Sequence, residues 1–346
     1  MQKFNVGING LGRIGRAVFK ILLQKPAFKI VAVNDIDPLI ENHAYLLNYD
    51  SIYGTLNDKV KSDHNSLLLP TSEKVIFYSE DKIENVPWNE NEVACVIDSS
   101  GIYSNVVGAH KIVNSHVRKV IVTHSPKDCI DQTIIIAANE KKYLKEEHHV
   151  VSSSICDTNA CAPVLKLLDE AIGIKDGFIT TLHPWLGYQN LVDGSLKSVT
   201  SPGHYWKDYS LGRASSESLI PKNTTLIPSV KEALPEIAQE IHAISFRVPT
   251  AIVSSSDMTL TLKKDINEVE LIDIFSELAV KYPDVILLNR EPLVSIDFKG
   301  ISQSCVIDLR WLKVYNRNKL KLVLWYDNEW GYANRVVDVV ELVAKK

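Results

Sequence analysis

A short β-rich run at residues 3–9 leads straight into Gly10-Leu11-Gly12-Arg13-Ile14-Gly15, and a stretch with helical spacing follows. Ile14, Val18, Ile21 and Leu22 fall on one face of that helix, over residues 12–24. A second strand, 29–34, ends at Asp35. This strand–turn–helix–strand unit constrains the fold more than any other feature. Gly10 suits the tight turn, Gly12 lets the backbone approach a pyrophosphate, and Gly15 lets helix and strand pack closely. The helix start supplies free amides and a partial positive charge to phosphates. Asp35, at the end of the second strand, suits the adenosine ribose hydroxyls and repels a 2′-phosphate, so NAD is expected rather than NADP.

The rest of the first half continues the alternation. Strand signals lie at 75–78, 95–97, 119–122, 133–137 and 149–151, with helical stretches such as 106–113 between them. After residue 155 the texture changes. A helix over 158–172 carries Ala162, Leu165, Leu168 and Ala171 as its apolar stripe. Runs with period-two character follow at 177–183, 244–248, 258–263, 293–297, 304–308 and 319–326, with helices over 265–281 and 331–345. The predicted class is α/β: a Rossmann dinucleotide-binding domain over 1–155, then an α+β catalytic domain with a mixed or antiparallel sheet over 156–330. The long stretch between His183 and Arg213, rich in Gly, Ser, Pro and aromatics, reads as a functional loop.

Bulk properties narrow the partners. The 346 residues carry a net charge of −4 and are 45% hydrophobic, which implies no pull toward nucleic acid or an anionic membrane. No stretch is apolar for long enough to span a bilayer, and the first residues run into a strand without a leader pattern. Five cysteines without framework spacing imply free thiols and a cytoplasmic protein. Cys156 and Cys161 are not a CxxC pair and no second ligand cluster accompanies them, so no metal is expected.

Two residues carry the candidate chemistry. Cys156 stands at the start of a predicted helix, where the dipole and first-turn amides are expected to lower its pKa. His183 closes a predicted strand. Alone, the cysteine reads as a small buried hydrophobe and the histidine as a satisfied core residue. Downstream of a dinucleotide motif, the pair suggests a nucleophile and its base. The thiol captures an aldehyde as a thiohemiacetal, and hydride transfer to a nicotinamide oxidises it.

The ordered segments VGINGLGRIGR (6–16), VNDIDP (33–38), LLNYDSIYG (46–54), CDTNACAP (156–163), TTLH (180–183), FRVPT (246–250) and WYDNEWGYANRVVD (325–338) resemble the phosphorylating glyceraldehyde-3-phosphate dehydrogenase family over the whole chain. The resemblance implies Cys156 as nucleophile and His183 as base. It implies cofactor contacts from Asn9, Gly10, Gly12, Arg13, Ile14, Gly15, Asp35, Ser100 and Thr123, with Asn328 on the nicotinamide carboxamide. Substrate contacts are implied for Thr158, Arg213, Thr224 and Arg247. It further implies a homotetramer and a final helix, 331–346, that returns to the cofactor domain. Segments 86–103, 123–126, 163–174, 291–298 and 328–330 resemble the erythrose-4-phosphate dehydrogenase branch of that family.

The departures from the family pattern concern phosphate. Ile155 and Asp157 stand where the family carries a serine and a threonine that help bind the attacking inorganic phosphate. Thr225 replaces a glycine, Leu186 a threonine and Ser210 an arginine. Each lost donor to a dianion costs roughly 1.5–3 kcal/mol of binding. The remaining basic candidates are Lys197, Lys207, Arg213 and Lys222. The expected activity is NAD-dependent oxidation of a small phosphorylated sugar aldehyde, such as glyceraldehyde 3-phosphate or erythrose 4-phosphate, with no requirement for inorganic phosphate. Three alternatives stay open: the ordinary phosphorylating enzyme of glycolysis, an acyl transfer from the thioester, and a weakly active relative kept for binding or regulation.

Overall fold

The structure, a computed structural model, describes residues 3–195, 208–237 and 240–345. The chain forms two compact units. The first is Met1–Ile134, Lys141–Ser154 and Val336–Lys346; the second is Ile135–Glu140 and Ile155–Arg335.

In chain order the first unit contains β1 (Phe4–Asn9), α1 (Arg13–Leu23), β2 (Phe28–Asn34), α2 (Ile40–Asn48), the two-residue strands β3 (Tyr49–Asp50) and β4 (Gly54–Thr55), β5 (Lys61–Asp63), β6 (Ser66–Leu68), β7 (Lys74–Tyr78), β8 (Cys95–Asp98), α3 (Tyr103–Ile112), β9 (Lys119–Val122), β10 (Gln132–Thr133) and β11 (Val150–Ser152). Its nine-stranded sheet runs β10-β11-β9-β8-β1-β2-β7-β6-β5. Pairing from β10 to β7 is parallel throughout, and only β6 and β5 are antiparallel. Strand order therefore reverses between β1 and β8, the switch point at which this fold binds ligands. The central strands are apolar on both faces because both are covered: Val6, Ile8, Val96, Ile97 and Ile121 are fully buried.

The second unit contains α4 (Cys156–Ala171), β12 (Ile174–Pro184), β13 (Ile220–Lys222), α5 (Leu226–Ala233), β14 (Ile241–Val248), β15 (Ser254–Leu262), α6 (Glu268–Lys281), β16 (Ile286–Asn289), β17 (Cys305–Tyr315), β18 (Lys319–Tyr326) and α7 (Trp330–Ala344), whose later part groups with the first unit. Its seven strands run β13-β14-β12-β15-β18-β17-β16, with antiparallel pairing except β12 with β14 and β16 with β17. One core joins helices and sheet: Leu165 and Leu168 of α4, Val230 of α5 and Phe275 of α6 cluster with Met258, Leu260, Leu322 and Leu324. Period-two alternation then turns Phe178, Leu182 and Ile244 outward, where they are exposed. The segment Ile135–Glu140 is tied into this unit: Asn139 Nδ2 donates to the Ala233 carbonyl and Lys166 Nζ to that of Ala138.

Two expected strands are corrected. The run 133–137 leaves the sheet after Ile134, whose amide donates to the Ser152 carbonyl at 2.8 Å; beyond it the Asn139 side chain takes the Ile135 amide at 2.7 Å, and Ala137 turns with φ 67°. The run 293–297 is a 3₁₀ turn at Ser295–Phe298, because Asp297 accepts from the Val294 amide at 2.8 Å. The helix expected over 265–281 begins at Glu268, where Asn267 and Glu270 form a capping box.

Candidate active site

In the first unit, Gly10 leaves β1 with φ 95°, a left-handed turn that an L side chain resists. A Cβ on Gly15 would lie 1.9 Å from the Gly10 carbonyl, so only glycine lets α1 sit this close to the turn. A Cβ on Gly12 would meet nothing within 4 Å, so the helix start faces open space. Asp35 is held by two amides: Leu11 N donates to Oδ2 at 2.7 Å and Asp37 N to Oδ1 at 3.0 Å. Asn9 donates to Asp98 and accepts from Asn34, joining the ends of three adjacent strands. Ser100 and Thr123 also bond to Asp98, through its carboxylate and its carbonyl respectively. Arg13 pairs with Asp50 at 2.8 Å, and Ile14 is half-buried. A free helix start, a glycine turn that admits close approach and a strand-end carboxylate fit an NAD dinucleotide. Asp98, which the sequence reading passed over, is the hub of this region, and burial raises its pKa.

In the second unit, α4 begins at Cys156 and β12 carries His183 on its inward face. The two meet: Cys156 Sγ lies 3.6 Å from His183 Nε2. His183 Nδ1 lies 2.9 Å from the Pro184 carbonyl, so Nδ1 holds the proton and Nε2 keeps its lone pair toward the sulfur. Burial, then the Arg247 guanidinium, push the ring's pKa down to about 4, so it is neutral near pH 7.

The expectation of a low thiol pKa is overturned. Burial is the larger cause, and the Asp157 carboxylate, 3.4 Å from Sγ, adds to it; together they raise the Cys156 thiol well above its ordinary value. The helix start does not offset a desolvated sulfur beside an anion. Asp157 is itself buried and accepts from Tyr326 Oη at 2.9 Å. Tyr326 continues to Ser256, and Ser256 to Cys161. This polar thread from Cys156 to Cys161 runs through residues distant in sequence.

Among the residues implied for substrate, Arg247 is buried and reaches the Pro184 carbonyl at 3.4 Å, while its Nε has no partner. Thr158 Oγ1 and Asn328 Oδ1 are likewise buried without partners. Thr224 Oγ1 accepts from the Leu226 amide at the start of α5. Arg213 pairs with Asp193 at 3.0 Å on the surface. Lys222, near Arg247, has its pKa lowered by burial first and by that guanidinium second. Lys197 and Lys207 lie outside the described residues.

A parallel sheet with a glycine turn at its switch point, followed by a cysteine–histidine pair in a separate unit, defines the class: a dinucleotide-dependent oxidoreductase. Residues 4–106 match the glyceraldehyde 3-phosphate dehydrogenase NAD binding domain, and residues 155–328 match the C-terminal domain of the same enzyme. Three relatives cover nearly the whole chain. Glyceraldehyde-3-phosphate dehydrogenase 1 of Bacillus cereus is 35% identical over 99% of this chain and 98% of its own length. The Geobacillus stearothermophilus enzyme is 36% identical over 99% and 98%. Glyceraldehyde-3-phosphate dehydrogenase 2 of Staphylococcus aureus is 34% identical over 98% and 95%. The chain belongs to the glyceraldehyde-3-phosphate dehydrogenase family, and it is an NAD-dependent oxidoreductase. None of these relatives carries the name of the erythrose-4-phosphate branch.

Proposed function

We propose that the chain oxidises a small phosphorylated sugar aldehyde, erythrose 4-phosphate or glyceraldehyde 3-phosphate, and passes the resulting thioester to water rather than to inorganic phosphate. The observation that carries the reading is the Cys156–His183 approach at 3.6 Å, flanked by Ile155 and Asp157. Cys156 gives its proton to His183 and attacks the aldehyde carbon, and the alkoxide takes that proton back. His183 next removes the hydroxyl proton as hydride leaves the carbon, and bound NAD supplies the acceptor for that hydride. A thioester on Cys156 results. His183 releases that proton to solvent and, neutral again, takes a proton from a water as it attacks the thioester carbon; the thiolate leaves, recovers the proton from His183, and the acid is released. Arg247, buried with its Nε unpartnered, is assigned to the substrate phosphate, with Thr158, Thr224 and Arg213 as lesser contacts. Asn328, with its buried Oδ1 free, is assigned to the carboxamide, and Asn9, Gly10–Gly15, Asp35, Ser100 and Thr123 to the rest of the cofactor.

Ile155 cannot donate, and Asp157 places a negative charge beside the sulfur, so both oppose phosphate as the attacking group. The first unit would be the NAD domain and the second the catalytic one. The reading includes a cytoplasmic homotetramer with no nucleic-acid partner. The exposed Phe178, Leu182 and Ile244 supply an apolar face for subunit contact, and no helix among the described residues is long and apolar enough to cross a membrane. The test is oxidation of each aldehyde in phosphate-free buffer with product analysis. Free acid supports the reading. A saturable phosphate requirement with an acyl phosphate product overturns it.

A further inference from the structure

Asp157 does more than disfavour phosphate. It brings a third donor to the sulfur and the imidazole, and among the described residues this is the one group of side chains disposed to hold a metal ion. We propose that Cys156, Asp157 and His183 form a three-ligand site for a zinc-class divalent cation, whose occupancy masks the thiol.

The spacings carry the proposal. With Zn–S of about 2.3 Å, Zn–N of about 2.0–2.1 Å and Zn–O of about 2.0–2.2 Å, a tetrahedral ion sets S···N and S···O edges at about 3.6 Å. The observed Sγ···Nε2 distance is 3.6 Å and Sγ···Oδ1 is 3.4 Å. The third edge lies within 4.8 Å.

Both remaining ligands are held by a second partner, His183 through its far nitrogen and Asp157 through the oxygen that faces the sulfur. His183 presents Nε2 because Nδ1 is engaged by the Pro184 carbonyl at 2.9 Å, the support that metal-bound imidazoles ordinarily have. Asp157 is fixed by the Tyr326 hydroxyl at 2.9 Å. Charge also balances. Cys156 releases its proton to the solvent on binding, so thiolate and carboxylate match a doubly charged cation, the imidazole is neutral, and a fourth position stays open for water. A threonine at position 157, as in the family pattern, offers no such charge, so the site is a property of this chain. The sequence carries no ligand spacing for it, because His183 reaches the pair only through β12.

The binding stands on geometry alone. Only the masking rests on Cys156 being the nucleophile, and the experiment separates the two. The full chain, stripped with a chelator under reducing conditions, is titrated with cobalt(II) without NAD or aldehyde. The expected result is one equivalent per chain with a thiolate-to-cobalt charge-transfer band, absent in Cys156→Ser. Asp157→Thr is expected to weaken binding at least ~10-fold. Should Asp157→Thr fail to fold, Tyr326→Phe carries the same test, with ~10-fold weaker binding expected while all three ligands remain. No band, a band that persists in Cys156→Ser, or variants that bind as tightly as the parent overturn the site. In the activity arm, zinc is expected to abolish turnover and a chelator to restore it. Cobalt binding in a chain without turnover would refute the nucleophile assignment and leave the site standing.

Discussion

Replacing Asp157 by asparagine should make the Cys156 thiol more acidic. The carboxylate oxygen lies 3.4 Å from the sulfur. A unit charge pair at this range is worth about 1 kcal/mol in water and about 4 kcal/mol at the effective dielectric of a protein site. At about 1.4 kcal/mol per pKa unit, that is a fall of roughly 1–3 units. The sign is fixed by the chemistry: a neighbouring anion disfavours thiolate, so its removal favours it. The fall is partial, because burial, the larger cause of the raised pKa, remains. Asparagine keeps the shape and still accepts from Tyr326, so the change isolates charge. The assay is the rate of Cys156 alkylation by iodoacetamide against pH, followed by peptide mass. The midpoint should move acid by roughly 1–3 units. A midpoint that stays put or moves alkaline would refute the role given to Asp157.

Three further outcomes are expected. His183→Asn should slow turnover by about 10²–10⁴-fold if the ring is the base, and a loss under about tenfold would reassign it. The depressed pKa of the same ring, about 4, means the unfolded chain takes up a proton that the folded chain refuses. Stability should therefore fall as pH drops from about 6.5 toward 4, by an amount on the order of 3 kcal/mol, and His183→Asn should flatten that slope in urea titrations. Gly15→Ala should cost about 1–3 kcal/mol and weaken NAD binding, since its Cβ would sit 1.9 Å from the Gly10 carbonyl; an unchanged urea midpoint would contradict the packing.

The glycine turn was legible because its chemistry is positional. Gly10 and Gly15 do things no other residue can do there, and the strands on either side carry a period that sequence displays. Strands β9 and β18 are legible for the same reason, with buried or alternating apolar runs bounded by charge. The run 133–137 misleads because it is apolar for another purpose: Ile134 and Ile135 are buried while Asn139, four residues beyond Ile135, bends the backbone away from the sheet. Helix α2, with polar residues interrupting its apolar positions, and strand β16, only four residues long and paired to β17, carry too little pattern to be read. That Cys156 and His183 come together was legible, but the state of the thiol was not. That state depends on burial, on which way Asp157 points, and on Tyr326, which is 169 residues away in the chain.

The interleaving of the two units bears on how this protein can be divided. Passage between units falls after Ile134, after Glu140, after Ser154 and after Arg335. A single cut at the obvious junction before Cys156 thus yields two fragments, neither of which owns all of its unit. The leading piece lacks Val336–Lys346, including the Glu341 that pairs with Lys25 at 2.7 Å, and carries Ile135–Glu140, whose Asn139 belongs against Ala233 of the other piece. Each fragment would present an unfinished surface that the other completes. Separately expressed halves should accordingly stay poorly folded alone and regain native structure on mixing, as a split reporter does.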